Sequence, residues 1–180
     1  MTESLPQRVA QYRSLPFPSD SLGDCADNHA KLDILRDLDE HANDEDVGQL
    51  LLDILNSPNE YDLARIESAK IVGIYVDKSS RLERKLKQQV WKIFADTDED
   101  TLVRQHASQN ICVGFGGDAE LGIIERVLFD EDEDIDVRHG AFSYLRHAMD
   151  LAFINRLVPR LRDHEYWSRF PNSIPEFPRE

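Results

Sequence analysis

Between residues 29 and 163 the apolar positions recur at spacings of three and four, in short runs separated by polar, acid-rich breaks. That period places apolar side chains along one side of an α-helix and gives no support to strands, whose period is two. In residues 81–96, Leu82, Leu86, Val90, Ile93 and Phe94 stand at i, i+4, i+8, i+11 and i+12. Ile154, Leu157, Val158 and Leu161 form a comparable stripe in residues 151–163, and residues 119–130 supply a third helix of this kind. Pro159 falls inside the last of them, where a kink or an alternative helix start is expected.

Each of these helices follows another that carries a repeated signature. Residues 61–73, 100–114 and 134–148 each hold a small apolar residue, then Arg, a small residue three places on, and an aliphatic four further. The arginines are Arg65, Arg104 and Arg138; the small residues are Ser68, Ala107 and Ala141; the aliphatics are Val72, Ile111 and Leu145. Such spacing keeps all three on one helical face, which predicts a structural ladder of repeat joints. Asp96 and Asp130 lie seven residues before Val103 and Val137, and Ser57 lies seven before Ala64, so the register holds across three joints. An earlier pair, residues 29–41 and 46–57, has the length and the stripe without the Arg, as terminal repeats often do. Asp163 plus seven reaches Phe170, where Pro171 blocks another helix.

With its Asp-rich turn followed by Val-Arg and then Ala, the pattern resembles the HEAT-like repeat family, in particular the short subclass first named from phycobilisome lyases. The signature is carried by Asp98, Val103, Arg104 and Ala107, and again by Asp132, Val137, Arg138 and Ala141; the repeat with Ala64 and Ser68 departs from it. Covering roughly residues 28–163, the resemblance implies an all-α fold, a right-handed α-solenoid of about four antiparallel helix pairs. It also implies that the repeated Arg pairs with an acid in the turn between repeats. Residues 1–26 are expected to be irregular, 27–163 to form the repeat domain, and 164–180 to be a Pro/aromatic tail. That tail, with Trp167, Phe170, Ile174 and Phe177 among prolines, is expected to fold back over the last repeat; the alternative is an extended segment offered to a partner.

Composition narrows the functional classes. The formal net charge is -14, from 35 acidic against 21 basic residues. An acidic protein is repelled by nucleic-acid backbones and anionic membranes and drawn to basic partners. Two cysteines, Cys25 and Cys112, make no disulfide framework, so a reducing, cytoplasmic setting is expected, with Cys112 in the core. No stretch reaches the length of a membrane span.

Acids concentrate in two breaks. Asp96, Asp98 and Asp100, and likewise Asp130, Asp132 and Asp134, have the D-x-D-x-D spacing of calcium loops. The sixth position is Thr101 or Ile135 where Gly is needed, and the twelfth is Ala107 or Ala141 where Glu is needed, so the motif fails. Helix N-terminal capping explains the acids instead. Asp98, Asp100, Asp130, Glu131, Asp132, Glu133, Asp134 and Asp136 remain the candidate docking residues for a basic protein partner, along one negative edge.

Six scattered histidines (His29, His41, His106, His139, His147 and His164) include no HExxH, and no metal or cofactor is expected. Gly114 to Gly117 reads as a turn inside a repeat. Basic residues gather on the second helices: Arg81, Arg84, Lys85, Lys87 and Lys92, then Arg126, then Arg156, Arg160 and Arg162. The resemblance places those helices on the concave side, where some relatives act on DNA. The resulting alternative is a lyase-like or nucleic-acid-base-processing enzyme working in the groove. The preferred expectation is a non-enzymatic binding module, an adaptor or an immunity or antitoxin-type protein.

Overall fold

The computed structural model describes residues 4–16, 26–111, 118–145 and 151–170, and every regular element among them is helical. In chain order these are α1 (Leu5–Ser14), α2 (Ala26–Leu38), α3 (Glu45–Asn56), α4 (Asp62–Tyr75), α5 (Glu83–Ala95), α6 (Thr101–Asn110), α7 (Asp118–Phe129), α8 (Ile135–Leu145) and α9 (Leu151–Asp163). Short 3-10 turns follow α2 at Asp39–His41 and α9 at Trp167–Arg169. Helix α9 runs unbroken through Pro159, so no separate start occurs there.

The chain divides into two compact units, Met1–Cys112 and Val113–Glu180, and the expected repeat domain is shared between them. In the first unit α2 packs on α4 and α4 on α6, while α3 packs on α4 and α5 and α5 on α6. Helices alternate in sequence yet neighbour one another in space, giving a row of first helices and a row of second helices. The stripe read from the sequence explains the core: Leu86, Val90, Ile93 and Phe94 of α5 are buried, as are Leu51, Ile54 and Leu55 of α3, the helix on which α5 packs. Burying each such side chain is worth about 1.5–3 kcal/mol. At the far end of α4, a Cβ on Gly73 would stand 3.0 Å from both the Cβ and the carbonyl oxygen of Asn110, so a larger residue there would push α4 and α6 apart by a few tenths of an ångström.

The segment 1–26, expected to be irregular, holds α1. Ser4 N donates to Gln7 Oε1 at 2.9 Å, and Pro6 lies in the first turn, where its missing N–H costs nothing. The helix then buries Val9 and Tyr12 and is pinned by Arg8–Asp37 (3.0 Å) and Arg13–Asp53 (2.9 Å). Its stability comes from tertiary contact, which overrides a weak local pattern.

In the second unit α7 packs on α8, and α9 on the 3-10 turn at Trp167. Trp167 is fully buried, stacks on Phe142 at 4.6 Å and 8°, and donates its Nε1 to Leu128 O at 2.8 Å. Cys25, Cys112, the 114–117 turn, His147 and the tail beyond Phe170 lie outside the described residues.

Candidate partner-docking edge

The two acidic turns are built by the same hydrogen bonds. Before α6, Asp96 Oδ1 accepts from Asp98 N (3.0 Å), and Asp100 Oδ1 caps the helix by accepting from Leu102 N (2.9 Å) and Val103 N (3.2 Å). Before α8, Asp130 Oδ1 accepts from Asp132 N (3.1 Å), and Asp134 Oδ1 accepts from Asp136 N (2.9 Å) and Val137 N (3.3 Å). The D-x-D-x-D spacing therefore serves a turn and an N-cap, each using one carboxylate oxygen for backbone N–H groups. Among the described residues no three His, Cys, Asp or Glu side chains are grouped so as to hold a metal ion.

Asp98 and Asp100 in the first unit are exposed, as are Asp130, Glu131, Asp132, Asp134 and Asp136 in the second. None of these seven forms an ion pair with a described residue, so their charge faces solvent. Glu133 differs. It is half-buried, and its Oε1 accepts from Asp134 N at 3.0 Å, which makes it a turn-building side chain.

Three apolar residues missing from the sequence reading stand among these acids. Leu63 and Leu102, each the second residue of its helix, are 40% and 44% exposed, and Ile135, the first of α8, is 40% exposed. A signal was present in the sequence: Leu63 and Leu102 sit one place before the buried Ala64 and Val103, and so point about 100° away from the packed stripe. In the first unit the N-termini of α4 and α6 adjoin. Burial and the charges of Asp100 and Glu99 push the Asp62 carboxyl above its ordinary value, with Arg65 partly opposing. Asp62, Leu63, Asp98, Asp100 and Leu102 thus compose one edge, two leucines set among carboxylates.

The three repeated arginines are all buried. Arg65 is 3% exposed and grips the Glu99 carboxylate at two points, Nη1 to Oε1 at 2.7 Å and Nη2 to Oε2. Burial works to raise the Glu99 carboxyl, but the Arg65 hydrogen bonds, the Asp100 N–H and the charges of Arg65 and Arg104 outweigh it and hold the group below its ordinary value. Arg104 donates Nε and Nη2 to Phe94 O at 3.3 Å each. Arg138 donates Nη2 to Leu128 O at 3.3 Å and lies over the rings of Tyr166 (5.0 Å) and Trp167 (5.4 Å). A fourth buried cation lies earlier in the chain: Lys31 of α2 pairs with Glu60 at 2.5 Å.

The basic residues of the second helices are partly neutralised where they stand. Arg81 pairs with Glu45, the half-buried Lys87 with Glu83, and Arg156 and Arg160 both with Glu125. Among the described residues no helix is long and apolar enough to cross a membrane. Comparison with protein-family models, with curated proteins and with solved structures finds no match to this chain.

Proposed function

We propose that the protein is a non-enzymatic docking module whose acidic edge seats a basic protein partner, in the manner of an adaptor or an immunity or antitoxin-type inhibitor. We read its helices as about four HEAT-like pairs in a right-handed α-solenoid, a reading supported by the recurring cations Lys31, Arg65, Arg104 and Arg138 and by the alternate packing in the first unit. The observation that carries the function is the exposure of Leu63 and Leu102 beside Asp98 and Asp100, carboxylates that form no ion pair with a described residue. Exposed apolar side chains rimmed by one sign of charge suit a partner presenting apolar residues in a basic surround. The apolar contact supplies affinity, and the charge supplies steering and selectivity.

The test is a native pull-down with mass spectrometry, comparing wild type with Asp98→Asn/Asp100→Asn and with Leu63→Ser/Leu102→Ser. Asn keeps the N-cap while removing charge, so the first variant separates electrostatics from folding. A basic protein should be recovered by wild type, lost from both variants, and released as ionic strength rises. Recovery of the same partner by all three proteins would refute the assignment of this edge, and an absence of any basic partner would refute the function.

A further inference from the structure

Helix α1 has the opposite charge to its surroundings. In a chain of net charge -14, its ten residues hold Arg8 and Arg13 and no acid. Leu5, Val9 and Tyr12 recur at spacings of four and three, so one face is apolar and an arginine flanks it on each side. The helix packs on both α2 and α3. That seat answers its charges: Arg8 pairs with Asp37 of α2 at 3.0 Å, and Arg13 with Asp53 of α3 at 2.9 Å. Tyr12 covers the buried Lys31–Glu60 pair, with its hydroxyl turned toward the Glu60 carboxylate and its ring centroid 5.4 Å from Lys31 Nζ. A basic amphipathic helix laid on an acidic, partly apolar surface is a recurrent way for one protein to hold a helix of another.

The hold on α1 is slight. Of its residues only Val9 and Tyr12 are buried. Its ion pairs stand in solvent, Arg13 and Asp53 each 51% exposed, where such pairs contribute little. Packing against α3 is incomplete. A recess of about 160 Å³ opens among Tyr12, Leu15, Leu50, Ile54 and Glu60, and a cleft of about 460 Å³ opens among Pro6, Val9, Arg13 and Asp46. At ten residues α1 is shorter than the roughly 12–15 that an isolated helix needs, so leaving the seat unfolds it. An element with so few buried contacts opens far more readily than the domain unfolds.

We propose that the seat on α2 and α3 is a docking site for a short basic amphipathic helix of a partner protein, which α1 occupies in cis as a displaceable stand-in. The partner helix has α1's pattern: an aliphatic and an aromatic residue three apart, with an arginine just before the first and just after the second. It binds by expelling α1, which is therefore an autoinhibitory contact that lowers apparent affinity in proportion to the time the seat is filled. The inference rests on α1 and its seat and does not depend on the edge at Asp98 and Asp100.

Hydrogen exchange on the full chain is the first measurement. Amides of α1 should exchange at least about tenfold faster than those of α3 and α4, and equal protection overturns the proposal. A fluorescent peptide of residues 4–16 is then titrated into the full chain and followed by anisotropy. Val9→Ala/Tyr12→Ala, whose own α1 is weakened, should bind it about tenfold more tightly than wild type. Arg8→Gln/Arg13→Gln, which leaves the buried side chains of α1 in place, should bind it about threefold more tightly. Within the peptide, Tyr12→Ala should abolish binding, and Arg8→Gln with Arg13→Gln should weaken it about fivefold. A peptide keeping only Leu5, Arg8, Val9, Tyr12 and Arg13, with alanine elsewhere, should bind at least as well as the parent. Binding to none of the proteins, equal binding to all three, or binding indifferent to the peptide's arginines overturns the proposal. So does a concentration-dependent wild-type dimer that the peptide dissolves in sedimentation, which would give the seat to a second copy of the chain.

Discussion

Arg65 and Arg138 occupy the same place in the repeated signature and are almost equally buried, yet their surroundings complete them differently. Arg65 closes on a carboxylate from the next turn, whereas Arg138 is covered by the Tyr166 and Trp167 rings and shares the Leu128 carbonyl with the indole N–H. A buried guanidinium needs its positive charge answered, and a bidentate carboxylate does so for Arg65 while aromatic faces with a carbonyl do so for Arg138, although the Nε of each stays without an acceptor. Position in the repeat selects the cation; the element that follows selects what answers it. The ion pair depends on pH, and loss of its cation strands a carboxylate, whereas loss of Arg138 from beneath its aromatic cover strands no charge.

The comparison is broken most severely by removing the cover. Trp167→Ala deletes a fully buried indole, its stack on Phe142 and its hydrogen bond to Leu128, and should cost about 4 kcal/mol. Chemical denaturation would measure it, and a loss under 1 kcal/mol, against the roughly 3–5 expected for a buried Trp, would show that the turn is an ornament on the second unit.

Arg65→Met comes next. It strands Glu99 inside the first unit and should cost about 3 kcal/mol at neutral pH. Adding Glu99→Gln should restore much of this, because the orphaned charge rather than the missing pair causes the loss. The sign of the pH effect follows from the lowered Glu99 value: its contribution is complete above the ordinary Glu range, near pH 4.3, and disappears as pH falls through the lowered folded-state value. The gap between wild type and Arg65→Met should therefore narrow in acid. Arg138→Met, which leaves no carboxylate behind, should cost about 1 kcal/mol, with a gap that stays level over the same pH range. Parallel pH curves for the two variants would contradict the distinction drawn here.

Much of this was legible beforehand. Stripes such as Leu86, Val90, Ile93 and Phe94 announce helices because burial on one face has a fixed period, and the repeated Arg positions are buried as their place on that face requires. Lys31 was not legible because an isolated lysine carries no repeated signature, and only its pairing with Glu60 makes its burial tolerable. Helix α1 escaped because a short polar segment acquires its structure from contacts with α2 and α3. The recess was unreadable for the same reason: Tyr12 and Glu60 lie 48 positions apart, and only packing brings them together.

The smallest expected effect separates the two capped turns themselves. Asp100 and Asp134 make the same pair of backbone hydrogen bonds, so replacing either by Ala should cost about 1 kcal/mol. Replacing either by Asn preserves the cap and isolates the charge. Residues 130–136 hold six acids, whereas residues 96–102 hold four, one of which, Glu99, is neutralised by Arg65. Asp134→Asn should accordingly relieve repulsion and stabilise its unit by a few tenths of a kcal/mol at low salt, with the gain fading as salt screens it. Asp100→Asn should gain less, because fewer like charges surround it and Arg65 lies close by. Thermal melts of both variants across ionic strength decide the matter: equal shifts independent of salt would mean that the denser turn carries no more electrostatic strain than its neighbour, and that its extra acids are retained at no cost to folding.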